Sequence, residues 1–196
     1  ADVAILQIAK QRPTVVLNRQ VRGVACVLQD TSDGMRQAVD HLADLGHREI
    51  TYLGSFPVSG MNSLRQAAVE RRCRERGMRF RVIEASGMTT AEGEVAFVRW
   101  RANPTTAVIA FHDDSAIEFL MAAARSGVRV PEDVSVIGVD DLPLSGHVYP
   151  RLTTVAVAAD VQCAAAMQQL SAMLQRARPQ TPPIAPLYLV VRESTG

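Results

Sequence analysis

The feature that most restricts what this chain can become is the repeated change in spacing of its apolar residues. Short runs of consecutive apolar residues give way to stripes at i, i+3, i+4 and i+7, then return, several times over. Continuous runs bounded by turn residues suit strands buried on both faces, and the stripes between them suit helices that carry the chain from one parallel strand to the next. This rhythm predicts an α/β fold with largely parallel sheets.

Residues 2 to 11 read as a helix, Pro13 introduces a strand TVVLN (14–18), and VACVL (24–28) follows Gly23. Thr31 or Ser32 can cap a helix with Met35, Ala38, Val39 and Leu42 on one face, and Gly46 supplies its left-handed stop before the strand ITYLG (50–54). An Arg-rich helix over 62–76 ends at Gly77, followed by a strand FRVIEA (80–85), a helix over 90–101 and a strand AVIAF (107–111). Asp113 or Asp114 can cap a helix carrying Ala116, Ile117, Leu120, Met121 and Ala124, closed by Gly127 and followed by the strand VSVIGV (134–139). After the loop DDLPLSGHVYPR come a strand TTVAV (153–157) and a helix over 160–176 with Cys163, Met167, Leu170 and Leu174 aligned. A Pro-rich linker (178–186) and a strand LYLVVRE (187–193) complete the pattern.

Composition excludes several function classes. At 47% apolar and 21% charged residues the chain is too apolar to be disordered, and 196 residues can bury a sizeable core. Twenty-one basic against 20 acidic residues leave a formal charge of +1, so no basic field draws the chain to nucleic acid or to an anionic membrane. Cys26, Cys73 and Cys163 are widely spaced with no CxxC, which suggests neither a disulfide framework nor a zinc site and fits a reducing, cytoplasmic setting. No apolar run reaches the roughly 18 to 20 residues of a membrane span, and the first residues lack the pattern of a signal peptide.

Open parallel sheets bind ligands beyond the carboxyl ends of their strands. The residues there are Asn18 and Arg19, Gln29 and Asp30, 55 to 62, His112 to Asp114, and Asp140 with Asp141. No GxGxxG, P-loop, GxSxG or HExxH is present, and no catalytic residues, metal site or cofactor are expected. Asp113 can serve a site or merely cap a helix, and the Asp140–Asp141 pair can be a plain turn. His41 and His47 read as surface or capping histidines, and the run Arg71, Arg72, Arg74, Arg76 as a solvated helix face. Ser115 with His112 is the nearest approach to a nucleophile and base, without a visible third partner.

Taken together, PTVVLNR (13–19), HLADLGHREITYLG (41–54), Arg65 with Ala68 and Gly77, HDDSA (112–116), GVRVPEDVSVIGVDDLPL (127–144), PRLTTV (150–155) and LVVREST (189–195) resemble the effector-binding domain of lac-repressor-type (LacI/GalR) bacterial transcription regulators. The resemblance runs from end to end. It implies a two-lobed, periplasmic-binding-protein-like fold with doubly wound parallel sheets. One lobe would hold residues 30–154 and 184–196, and the other, a remnant of the N-terminal lobe, 1–29 and 155–183. The helix-turn-helix of the family has no counterpart in these residues, so the chain is expected to be part of a longer regulator.

The resemblance further implies an effector site at Gln29, Asp30, Arg65, His112, Asp113 and Asp140. Arg65 would offer a fork of donors and Asp140 an acceptor pair, which suit the adjacent hydroxyls of a sugar or related compound. His112 stands where the family commonly has Asn, and Gln29 and Val139 where relatives have aromatics, so an aromatic platform is not evident. The implied function is the sensing and dimerising part of a repressor that meets operator DNA only through the helix-turn-helix. The alternative is a periplasmic sugar-binding receptor of the ribose-binding type, which shares the lobes. An enzyme on a doubly wound α/β fold would need a nucleophile with a base in reach, and Ser115 with His112, the nearest candidates, show no third partner.

Overall fold

A computed structural model describes residues 2–54, 60–84, 90–175 and 181–196. In chain order the elements are α1 (Asp2–Gln11), β1 (Val15–Leu17), β2 (Ala25–Gln29), α2 (Thr31–Asp44), β3 (Glu49–Gly54), α3 (Gly60–Glu75), β4 (Arg79–Glu84) and α4 (Thr90–Arg101). They continue with β5 (Ala107–Ala110), α5 (Asp113–Arg125), β6 (Ser135–Asp140), a 3-10 turn (Pro143–Gly146), β7 (Thr153–Val157), α6 (Ala159–Leu174), β8 (Ile184–Ala185) and β9 (Leu187–Val190). The alternation read from the sequence is the alternation of the fold. Residues 55–59 of the loop expected to face a ligand, Ala85 at the expected end of a strand, and 176–180, expected as a helix end and the start of the linker, lie outside the described residues. Among the described residues no helix is long and apolar enough to cross a membrane.

The chain divides into two compact units, residues 1–30 with 157–187 and residues 31–156 with 188–196. The smaller unit has a parallel sheet in the order β1-β2-β8 with α6 packed on it. Two expectations fail here. The Pro-rich linker contains β8, which pairs Leu28 with Ile184 and Gln29 with Ala185, because the Pro183 carbonyl accepts from the Leu28 N–H and a proline at a strand start costs no ladder bond. The stripe on α6 is not a buried face: Cys163, Met167 and Leu174 are exposed and Gln162 is its buried residue, since a three-stranded sheet cannot cover a 16-residue helix.

The larger unit holds a six-stranded sheet in the order β4-β3-β5-β6-β7-β9, parallel at every registered pair. Helices α2 and α3 pack together, as do α4 and α5, and each pair covers its own side of the sheet. Alternation along the strands supplies both cores. Leu53, Val108, Ala110 and Val136 face a cluster with Phe97, Trp100 and Phe119, whose rings meet at 5.3 to 5.6 Å in tilted and edge-on contacts. The intervening residues, Ile50, Tyr52, Ile109 and Ile137, are equally buried. Gly46, at φ +100°, turns the chain out of α2 as the sequence suggested.

The Arg-rich face of α3 is bonded rather than merely solvated: Arg72 grips Asp40 of α2 with both arms, and Arg76 reaches Asp44. The two histidines are also more than surface caps. His41 Nε2 lies 2.9 Å from the Thr195 hydroxyl, while His47 touches the hydroxyls of Thr106 at 2.8 Å and Ser135 at 2.9 Å. Ser135 in turn bonds the backbone of Gly196, so both rings help hold the last residues against the sheet. Ser194 completes the attachment with bonds to the backbones of Val136 and Thr153. Burial lowers both histidine pKa values from the ordinary 6.5, against the smaller opposing effects of Asp44 on His41 and of the Gly196 backbone on His47.

A histidine whose pKa is lower folded than unfolded binds fewer protons in the native state, so it adds stability above its unfolded pKa and loses it as pH falls. The melting temperature is expected to drop as pH is lowered from about 7 through 6.5, and His47→Gln is expected to flatten that slope. Scanning calorimetry of both proteins measures it; parallel pH profiles would refute the assignment.

Candidate functional site

The site follows from topology. Strand β3 is followed through α3 by its neighbour β4, whereas β5 is laid down on the other side of β3, so the order of winding reverses between β3 and β5. Helices leaving these two strands diverge, and the crevice they open at the carboxyl edge is where doubly wound sheets bind ligands. Arg65 comes to it from α3, His112 from the cap of α5 and Asp140 from the end of β6, while Asp113 opens α5 beneath them.

Helix α3 buries Asn62, Arg65, Ala68, Val69 and Cys73, residues three or four apart that form one face. That face carries Arg65 under the crevice, where the residue is only 5% exposed. Its guanidinium donates to the Phe111 carbonyl at 2.5 Å and to Asp140 Oδ1 at 2.9 Å, and lies 5.0 Å from the centre of the Phe111 ring. A buried cation is costly unless paired, and here a carboxylate, a carbonyl and an aromatic face share it. Tyr52 backs the arrangement, donating its hydroxyl to Asn62 Oδ1 at 3.1 Å, and burial pushes its phenol pKa upward.

Asp140 and Asp141 depart from strand geometry, with φ of +111° and +53°. Such conformations are costly for residues with a Cβ and persist where the surroundings enforce them. Arg192 is one enforcer: it pairs with Asp141 at 2.6 Å and donates to the Leu152 carbonyl at 2.8 Å. Held this way, the Asp140 side chain remains 36% exposed while still paired to Arg65.

Asp113 is placed differently. It has no exposed surface, and its carboxylate accepts from the Leu142 N–H at 2.8 Å and from the hydroxyls of Ser145 and Thr154 at 2.6 Å each. Burial raises its pKa, and those three donors work against the rise. The residue therefore ties β6, β7 and the 3-10 turn to the start of α5 from beneath. Gly138 gives it room, since a Cβ at that position would lie 2.2 Å from Asp113 Oδ1.

The cap of α5 is His112, not Asp113 or Asp114 as the sequence suggested: His112 is extended (φ −150°, ψ 169°) and its Nδ1 accepts from the Ser115 N–H at 3.1 Å. Asp113 cannot cap because its oxygens are spent on the turn. A ring that accepts at Nδ1 carries its proton on Nε2 when neutral, which leaves a donor at the crevice. The Ser115 hydroxyl also lies 3.1 Å from Nδ1, so the serine and histidine meet as cap and capped residue.

Gln29 and Asp30 belong to the smaller unit, at the end of β2. The Asp30 N–H bonds the Ala185 carbonyl, and Gln29 Oε1 is buried without a hydrogen-bond partner among the described residues. Phe111 was missed by sequence reasoning, which saw no aromatic at the site; its place just after β5 and beside His112 was the available signal. Among the described residues no cluster of three or more His, Cys, Asp or Glu could hold a metal ion.

Residues 39–195 match the periplasmic binding protein-like domain family. The chain belongs to that family, in its LacI/GalR branch. It is 32% identical over 158 residues to a probable HTH-type transcriptional repressor, ExuR, of Bacillus subtilis (strain 168), covering 74% of this chain and 46% of that protein. To the HTH-type transcriptional regulator GalS of Salmonella typhimurium it is 36% identical over 152 residues, 72% of this chain and 43% of that protein. The LacI/GalR-family chain thus spans less than half of either relative's length. A crystal structure of a LacI family transcriptional regulator from Arthrobacter sp. FB24 in complex with lactose superposes with a TM-score of 0.88 at 30% identity, covering 100% of this chain and 74% of that one.

The role of Asp113 in this LacI/GalR fold is open to a direct check. Asp113→Ala strands an N–H and two hydroxyls, and is expected to cost about 2–3 kcal/mol in urea denaturation. Asp114→Ala, an exposed neighbour, should cost under about 0.5 kcal/mol. Equal effects would show that the buried carboxylate is not the anchor.

Proposed function

We propose that the chain is the effector-sensing portion of a bacterial transcription repressor and that it binds a small polar metabolite, a sugar or related compound, at Arg65, Asp140 and His112. The observation that carries this reading is the buried Arg65, fixed by the Phe111 carbonyl and Asp140 at the point where the winding of the sheet reverses. A fixed donor fork beside a part-exposed carboxylate matches adjacent hydroxyls, which both donate and accept. His112 adds an Nε2–H donor, and the Phe111 ring adds an apolar face. Asp113 acts through the turn it anchors and not by touching the ligand. Gln29, at the end of β2 in the smaller unit, carries an acceptor that has no hydrogen-bond partner among the described residues.

In the whole regulator the units 1–30 with 157–187 and 31–156 with 188–196 act as the two lobes of the effector domain. Ligand that favours one lobe arrangement shifts its population and with it DNA affinity. DNA is read by a helix-turn-helix outside the residues described here, and the regulator works as a homodimer because paired half-sites call for a two-fold protein. Exposed apolar side chains on α4, α5, the 3-10 turn and the segment before β7, Val95, Val98, Met121, Leu144 and Tyr149, favour association through the larger unit.

Calorimetric titration with a panel of sugars, polyols and sugar acids, lactose among them, tests the site. Arg65→Ala and Asp140→Ala should each weaken binding of whichever compound is found by roughly tenfold to a hundredfold, since each loses a charge-assisted bond. Binding unchanged in both variants would refute the site while leaving the family untouched. Light scattering of the full-length regulator should give a dimer at micromolar concentration, and a monomer would count against the symmetric reading.

A further inference from the structure

At the opposite edge of the larger sheet, where β3 and β4 begin and the chain turns into β5, lies a cavity of about 400 Å³. Its lining includes Glu49, Phe80, Arg79, Arg81, Asn103 and Thr105. Nothing in the effector site reaches it. The register pairs Glu49 with Arg79 and Thr51 with Arg81, so the two arginines project from the same face of β4, next to Glu49 and Thr51 of β3. Arg79 is bound to Glu49 at 3.0 Å. Arg81 is different. It is half-buried, and among the described residues it meets no carboxylate.

What Arg81 meets instead fixes its orientation. Its Nη2 donates to the Thr51 hydroxyl at 3.1 Å and to the Asn103 carbonyl, and its Nε lies 3.4 Å from the same hydroxyl. Thr51 is fully buried and bonded to Thr105 at 2.8 Å, and the Trp100 indole donates to the Thr105 carbonyl at 3.2 Å. A chain of hydrogen bonds from the aromatic core thus holds the guanidinium in place. Its Nη1, with two N–H donors, has no acceptor among the described residues. A charge that is half-buried, rigidly held and unneutralised beside an open cavity is complementary to an anion, and Arg79 places a second cation within the same lining. The volume exceeds that of a bare inorganic ion and lies in the range of small-molecule sites.

We propose that this cavity is a second ligand site, separate from the effector site, which takes a small organic anion through its phosphate or carboxylate group. Arg81 is the principal contact and Arg79 the auxiliary one, the latter shared with Glu49. The competing role for two arginines on an edge strand is to discourage pairing with another chain. That role needs no cavity and no fixed rotamer, and it predicts no saturable binding.

Titration of the chain with phenyl phosphate and, separately, with benzoate, followed by calorimetry and by NMR of the arginine side-chain N–H groups, separates the readings. Saturable binding of either probe is expected, with the better of the two naming the anionic group. Arg81→Gln should weaken it roughly tenfold, and Glu49→Gln, which releases Arg79 at a surface position, should strengthen it. Arg65→Ala should bind the probe like the parent, and loss of binding there would place the probe in the effector site and overturn the proposal. So would absence of saturation up to about 10 mM, a range that still detects affinities weaker than 1 mM. Failure of Glu49→Gln to strengthen binding would overturn it as well, whether or not Arg81→Gln folds.

Discussion

The larger unit depends on a carboxylate that solvent never reaches. Asp113 begins α5, but its oxygens point away from the helix and collect an N–H and two hydroxyls from the segments that follow β6 and open β7. A buried carboxylate with no cation beside it is tolerable only when its acceptor sites are filled, and the same burial makes each bond strong. Three consequences follow from one side chain. The turn at Pro143–Gly146 is fixed, the capping position passes to His112, and glycine is imposed at 138 because the sheet must approach the carboxylate closely. Site geometry is thus inherited from a residue that does not itself face the crevice.

Arg65 is the second dependency and works by the opposite logic. Its partners are a mixture of carbonyl, ring and part-exposed carboxylate, so the cation is stabilised without being closed off. Asp140 is bent into a left-handed conformation to meet it, and the neighbouring Asp141 is pinned by Arg192. Strain at one end of β6 is therefore held by the residue that follows β9, which explains why the carboxyl-terminal sequence matters to a site it does not enter. Ser194, Thr195 and Gly196 extend that attachment through β6, β7 and the two histidines.

Much of this architecture was legible because periodicity and punctuation are local. The strands and helices of the larger unit lie within a few residues of their predicted places, and Gly46, Gly77 and Gly127 stop helices with positive φ, as their positions suggested. The motifs also pointed to Arg65 and Asp140, which the structure brings within 2.9 Å. What could not be read was any choice made by distant residues. Asp113 looks like a cap until Ser145 and Thr154 claim it, and β8 looks like linker until β2 offers it a ladder. The apolar stripe of α6 has the right spacing for a core, but spacing does not say how much sheet lies beneath it. Phe111 escaped for a related reason: its carbonyl and ring become relevant only once α3 delivers a cation to them.

The two ends of the sheet differ in electrostatics, and that difference bears on what each can hold. At the carboxyl end Arg65 is matched by Asp140, and the N-terminus of α5, which favours negative charge, already carries Asp113 and Asp114. An added anion there would confront an existing carboxylate, whereas a neutral polyhydroxylated molecule can exchange hydrogen bonds with both members of the pair. At the other end, among the described residues, Glu49 pairs with Arg79 alone and the donors of Arg81 Nη1 have no acceptor. One parallel sheet therefore presents a balanced pair at one edge and an excess cation at the other. Neutral hydroxyls suit the first and an anionic group suits the second, so the two sites would select different chemistry even when exposed to the same metabolites.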